Sequence, residues 1–114
     1  DSVLDSTKKT LGLDSAYDAF DMDIILHINS VFTTLHQLGV GPSEGFMIDD
    51  KTDLWSSYSE NSSVLNMVKS YMYVRVRLLF DPPTTSFSLE SFNKQAQEYE
   101  WRLNVLVDPN QDKG

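Results

Sequence analysis

Val64–Pro83, VLNMVKSYMYVRVRLLFDPP, is the stretch whose reading decides the fold. On a helix of 3.6 residues per turn, Val64, Leu65, Val68, Met72 and Leu79 share one side. Met67, Tyr71, Val74 and Leu78 occupy the neighbouring side, so the apolar surface extends well past a single stripe. A helix apolar over that much of its circumference has to be covered by several neighbours. Asn61, Ser62 and Ser63 offer side-chain oxygens to its unpaired first-turn amides. Pro82 and Pro83 lack an N–H, and Pro82 disfavours helical backbone at Asp81, so Asp81, Pro82 and Pro83 form a structural stop. The expectation is a buried central helix with an abrupt end.

The flanking chain supplies its cover. Ser2, with Asp5 three residues on, predicts the start of a short first helix over about Val3–Leu11, with Leu4 and Leu11 on one face and Gly12 as its stop. Phe20, Ile24, Ile25, Ile28, Val31, Phe32, Leu35 and Leu38 recur at steps of three and four, the clearest helical period in the sequence. The far face of this second helix carries Asp23, Asn29, Ser30, Thr33, Thr34 and Gln37, and Gly39, Gly41 and Pro42 end it. Gly45–Asp49 is too short for a helix, and the alternation of Phe46 and Ile48 predicts a half-buried extended piece. Thr52 is expected to cap a helical turn through Leu54, Trp55 and Tyr58, followed by a polar loop over 56–63. Leu89, Phe92, Ala96, Tyr99, Leu103 and Leu106 form the seam of a long last helix, with Glu98 and Arg102 as a favourable i, i+4 pair. The fold class is therefore all-α: a small helical bundle with a short non-helical insertion between the second helix and the central helix.

At 114 residues this reads as a single helical domain, 1–114, large enough to bury roughly two-thirds of its unfolded surface. Residues 109–114 read as a flexible polar tail. The chain has no cysteine, which removes disulfides and thiolate metal sites. No apolar run reaches the roughly 18–20 residues of a membrane helix, and Arg75 and Arg77 interrupt the greasiest segment, so a soluble protein is expected. The chain begins at Asp1 rather than methionine, and localisation is not read from that terminus. Seventeen acidic against nine basic residues give a net charge of −8, which disfavours gripping a phosphate backbone and argues against sequence-specific nucleic-acid binding. The same charge suits a path along which DNA slides without sticking.

Reactive constellations are scarce. His27 and His36 are nine residues apart, which puts them on opposite sides of one helix, so they do not chelate a common ion. Asp49, Asp50 and Asp53 resemble a calcium loop only superficially, because the glycine at the sixth position is missing. Asp18, Asp21 and Asp23 crowd a helix start, where dipole complementarity explains them without catalysis. No glycine-rich loop precedes a Lys and a Ser or Thr, so nucleotide phosphates have no cradle. The reading is of a non-enzyme with no cofactor and no metal.

Some residues exceed what a bundle needs. Arg75 and Arg77 lie about 200° apart on a mostly apolar helix, so at least one should meet a carboxylate such as Asp81, another helix or another subunit. Phe46, Ile48, Trp55 and Trp101 are large groups away from the strongest seams, and Trp and Arg are residue types that anchor interfaces. Phe46, Ile48, Trp55, Arg75, Arg77 and Trp101 are the candidate subunit or partner-contact residues. The tail from Asn110 and the loop over 39–53 are candidates for segments that order on assembly.

Four stretches carry a resemblance: AFDMDIILHINSVFTTLHQLGVGP (Ala19–Pro42), GFMIDDKTDLW (Gly45–Trp55), VKSYMYVRVRLLFDPPTTSF (Val68–Phe87) and EWRLNV (Glu100–Val105). Together they resemble the head–tail connector, or adaptor, proteins of long-tailed bacteriophages, over nearly the whole chain. The matching residues belong to fold and assembly and form no catalytic signature. The resemblance implies a helical protomer of a ring, often dodecameric, that docks beneath the portal and extends the DNA conduit towards the tail. Implied partners are the portal protein, other copies of the chain and a downstream tail-completion or stopper protein. The implied location is the head–tail interface of the virion, and the host cytoplasm during assembly. The rival reading is an acidic helical module that sequesters a basic partner, which requires acidic side chains aligned on one surface.

Overall fold

The computed structural model describes residues 1–107, so the expected tail at 109–114 lies outside the described residues. Five helices follow in order: α1 (Val3–Thr10), α2 (Asp21–Gln37), α3 (Trp55–Tyr58), α4 (Ser62–Phe80) and α5 (Ser86–Val107). No strand occurs among the described residues, and the irregular insertion falls between α2 and α4, as the sequence reading expected.

Each helix begins and ends for a local reason. The Ser2 hydroxyl accepts from the Asp5 amide at 3.1 Å and opens α1. The Asn61 side chain accepts from the Ser63 and Val64 amides at 3.0 and 3.2 Å and opens α4. Helix α4 stops at Phe80, with Asp81 outside the helix and Pro82 barring continuation. Lys8 is 1 % exposed; its Nζ pairs with Asp21 at 2.8 Å and donates to the Ser15 carbonyl at 3.0 Å. This cation fixes the 11–20 connector and joins the end of α1 to the start of α2.

Helix α4 packs against α1, α2 and α5, which is the central position expected of it. Its buried residues are Val68, Tyr71, Met72, Val74 and Val76; α2 contributes Ile24, Ile28, Val31, Phe32 and Leu35, and α5 contributes Ala96 and Leu103. The body measures 47 × 36 × 19 Å, its short dimension about two helix diameters.

Four expectations need correction. Leu79 shares the angular stripe of Val68 and Met72 but is 45 % exposed, while Val76, placed on neither apolar side, is fully buried. Periodicity fixes the direction of a side chain; it does not fix how far along the rod its neighbours reach. Leu89 and Leu106, at the two ends of the α5 seam, are exposed for the same reason. Thr52 does not cap α3, since its hydroxyl donates to Asp50 and Leu54 stands at the cap position without a side-chain bond. Residues 56–58 belong to α3, leaving only Ser59–Asn61 as connector.

Candidate functional site

The insertion is held from both sides. Asn29, on the face of α2 that the sequence marks as polar, donates from Nδ2 to the Ile48 carbonyl at 3.0 Å and accepts from the Ile48 amide at 2.8 Å. One side chain thus stands in for a neighbouring strand. Phe46 is half-buried, Met47 exposed, Ile48 buried and Asp49 exposed, the alternation expected of an extended piece. At its far end the Asp53 carboxylate accepts from the Asp49 amide at 2.7 Å and the Asp50 amide at 3.3 Å. The Thr52 hydroxyl and then the Thr52 amide, both donating to Asp50, hold its carboxyl below the usual range. Two backbone bonds, Val3 amide to Asp53 carbonyl and Trp55 amide to Asp1 carbonyl, each 3.0 Å, tie the amino end to α3. The Asp50 and Asp53 carboxylates therefore each accept from the loop's own amides and hydroxyl.

Next to this loop is a four-ring cluster. Phe32 lies 5.0 Å from Phe46, 5.9 Å from Trp55 and 5.0 Å from Tyr58, centroid to centroid. The Trp55 Nε1 donates to the Ser6 hydroxyl at 2.8 Å, so its polar edge is paired. Gly41 passes the Tyr58 ring with φ +90°, and a Cβ there would fall 2.6 Å from it. Burial pushes the Tyr58 hydroxyl up from its ordinary pKa.

Against this geometry the six sequence candidates separate. Ile48 and Trp55 are 1 % and 2 % exposed, so the structure takes both off the surface and places them in the core. Both read as surplus because their partners come from α1 and α2, distant in sequence. Phe46 keeps only a partial outer edge. Arg77 pairs with Asp81 at 3.7 Å, the partner anticipated for it, and its guanidinium lies 5.7 Å from the Phe92 ring centroid. Arg75 has no carboxylate partner among the described residues, and its buried Nε lacks an acceptor. Trp101 is 67 % exposed on α5. The candidates do not converge on one spot.

Other exposed groups went unmarked. Met22 and Leu26, one turn apart, are 80 % and 65 % exposed on the side of α2 opposite its buried stripe, and Met47 is 68 % exposed. Phe87 is 82 % exposed on the same outward side of α5 as Trp101. Their angular positions, roughly 150–200° from each core stripe, were the available signal. Because α2 and α5 each pack on α4, the chain presents two outward faces of different composition.

His36 faces the Ser43 carbonyl at 3.0 Å in an open groove beside Phe46 and Met47. Among the described residues no group of three His, Cys, Asp or Glu is placed to hold a metal ion. Five acidic groups are in ion pairs: Asp1 with Lys69, Asp21 with Lys8, Asp81 with Arg77, Glu90 with Lys94 and Glu98 with Arg102. No helix among the described residues is long and apolar enough to cross a membrane.

Such a molecule is an all-helical body with exposed apolar groups on two outward faces. A family model described as phage connector protein matches residues 3–110, and the chain belongs to that family. That family is a structural one, and the chain is accordingly a phage virion component. Comparisons with curated proteins and with solved structures found no match.

Proposed function

We propose that this protein is a head–tail connector subunit, one 1–114 domain that docks on the portal and on copies of itself. The assembled form is a ring, dodecameric by the family resemblance, that prolongs the DNA conduit towards a tail-completion or stopper protein. It acts at the head–tail interface of the virion and assembles in the host cytoplasm. The observation that carries this reading is the pair of unlike outward faces, Met22 and Leu26 on α2 and Phe87 and Trp101 on α5. A ring closes by a heterologous contact, which needs two different patches on each protomer rather than one self-matching patch. Large exposed apolar side chains on both flanks supply what such contacts bury. The net charge of −8 keeps a duplex from sticking as it passes.

The test mixes the protein with purified portal rings at micromolar concentration and follows sedimentation and particle images. Portal particles should gain mass and a second ring. Portal that sediments unchanged, with no added density, would contradict the assignment.

A further inference from the structure

Four charged residues on α5 alternate in sign at four-residue steps: Glu90, Lys94, Glu98 and Arg102. Side-chain exposures of 71, 76, 55 and 52 % show the whole ridge standing in solvent. Within one helix these are ordinary i, i+4 pairs, at 3.9 Å for Glu90 with Lys94 and 2.6 Å for Glu98 with Arg102. Intrahelical support explains the charges but not the exposed Trp101 and Phe87 beside them.

The order of signs has a further property. About its midpoint at residue 96 the ridge is its own complement: reversing the direction places Glu90 opposite Arg102 and Lys94 opposite Glu98. Helices often pack by laying four-residue ridges side by side. Two copies of α5 joined this way by a two-fold axis at residue 96 bring four opposite-charge pairs together. Parallel pairing sets Glu beside Glu and Lys beside Lys, so the sequence selects the antiparallel arrangement. In that register Trp101 lies five residues beyond the axis and Phe87 of the second copy nine, a difference of about 6 Å along the helix. The two exposed aromatic groups then cover one another at each end of the contact.

We propose that in the free protein the outer face of α5 is occupied by the same face of a second copy, in an antiparallel two-fold dimer. The inference rests on the connector reading in one respect: this face is also a flank of the ring. Self-pairing therefore regulates assembly, because a protomer held in the dimer cannot close a ring until another surface displaces its twin. An isologous pair ends growth at two subunits, whereas a ring contact repeats.

The experiment is sedimentation equilibrium of the full chain, without portal, for wild type, Lys94→Glu, Glu98→Lys and the double reversal. Circular dichroism checks that each variant is folded. Wild type should approach dimer mass with rising concentration, and the buried Trp55 leaves Trp101 to report the event as a blue shift in emission. Each single reversal sets like charges together at two symmetry-related places and should weaken the dimer roughly tenfold. The double reversal restores opposite pairing between copies and should recover most of the affinity. Monomeric wild type at all concentrations, a double variant no better than the singles, or higher oligomers indifferent to the reversals would each overturn the proposal. None of these outcomes decides portal docking, which the mixing experiment reads separately.

Discussion

In the corner formed by α2, α3 and the insertion, Phe32, Phe46, Trp55 and Tyr58 crowd at centroid distances of 5.0–6.3 Å, whereas along α5 Phe87 and Trp101 stand 82 % and 67 % exposed. The two regions use the same residue types for different ends. The corner joins pieces far apart in sequence and closes the core, with the Asn29–Ile48 clamp and the Asp1–Trp55 bond around it. Helix α5 packs on α4 without such a ring cluster: it buries Ala96 and Leu103, rests Phe92, Tyr99 and Val107 half-buried on the core, and has a short polar tie, Tyr71 hydroxyl to Glu100 at 2.6 Å. The rings meet one another in the corner, whereas those on α5 stand in solvent.

The largest expected effect is in the corner. Phe32→Ala removes a ring touching three others and should cost about 3–5 kcal/mol by denaturant titration. A loss below ~1 kcal/mol would mean the cluster is not a unit. Gly41→Ala should also destabilise strongly, because its Cβ meets the Tyr58 ring and its φ of +90° suits glycine. A melting temperature equal to wild type would refute that close approach.

Smaller effects sharpen the contrast on the α5 side. Tyr71→Phe gives up a charge-assisted bond and should cost about 1.5–3 kcal/mol. Burial first, and then the bond to Glu100, push the Tyr71 hydroxyl up from its ordinary pKa. An acid whose folded pKa is raised contributes stability that is complete below its unfolded value, about 10, and is lost as pH rises past it. Unfolding free energy should therefore fall above pH ~10, and less steeply in Tyr71→Phe; parallel curves would argue against that origin. Leu79→Ala, at a half-exposed site, should fall below the ~2–5 kcal/mol typical of buried leucine. Trp101→Ala should change stability by no more than ~0.5 kcal/mol while weakening association. A large loss of stability there would erase the distinction between the two regions.

Much of this arrangement was legible in the chain. The caps at Ser2 and Asn61, the stop at Asp81–Pro83, the α2 stripe from Ile24 to Leu35 and the alternation through Phe46 and Ile48 are local signals, and each holds in the structure, while Phe20, expected to head the stripe, stands exposed before the helix. Tertiary matters were not legible. Trp55 reads as surplus until Ser6 and Phe32 are brought to it, and Leu79 reads as core until its neighbours are seen to stop short. Met22 and Leu26 were lost among polar neighbours because α2 was read for its buried stripe and not for apolar residues on the opposite side.

The most direct test of the account asks whether both outward faces are needed for assembly. Leu26→Asp and Trp101→Asp, each confirmed as folded by its melting curve, would be mixed with portal and imaged beside wild type. Portal-bound rings are expected from wild type and none, or only open partial arcs, from either variant. Complete rings from both variants, at wild-type protein concentration, would show that assembly does not run through these two faces.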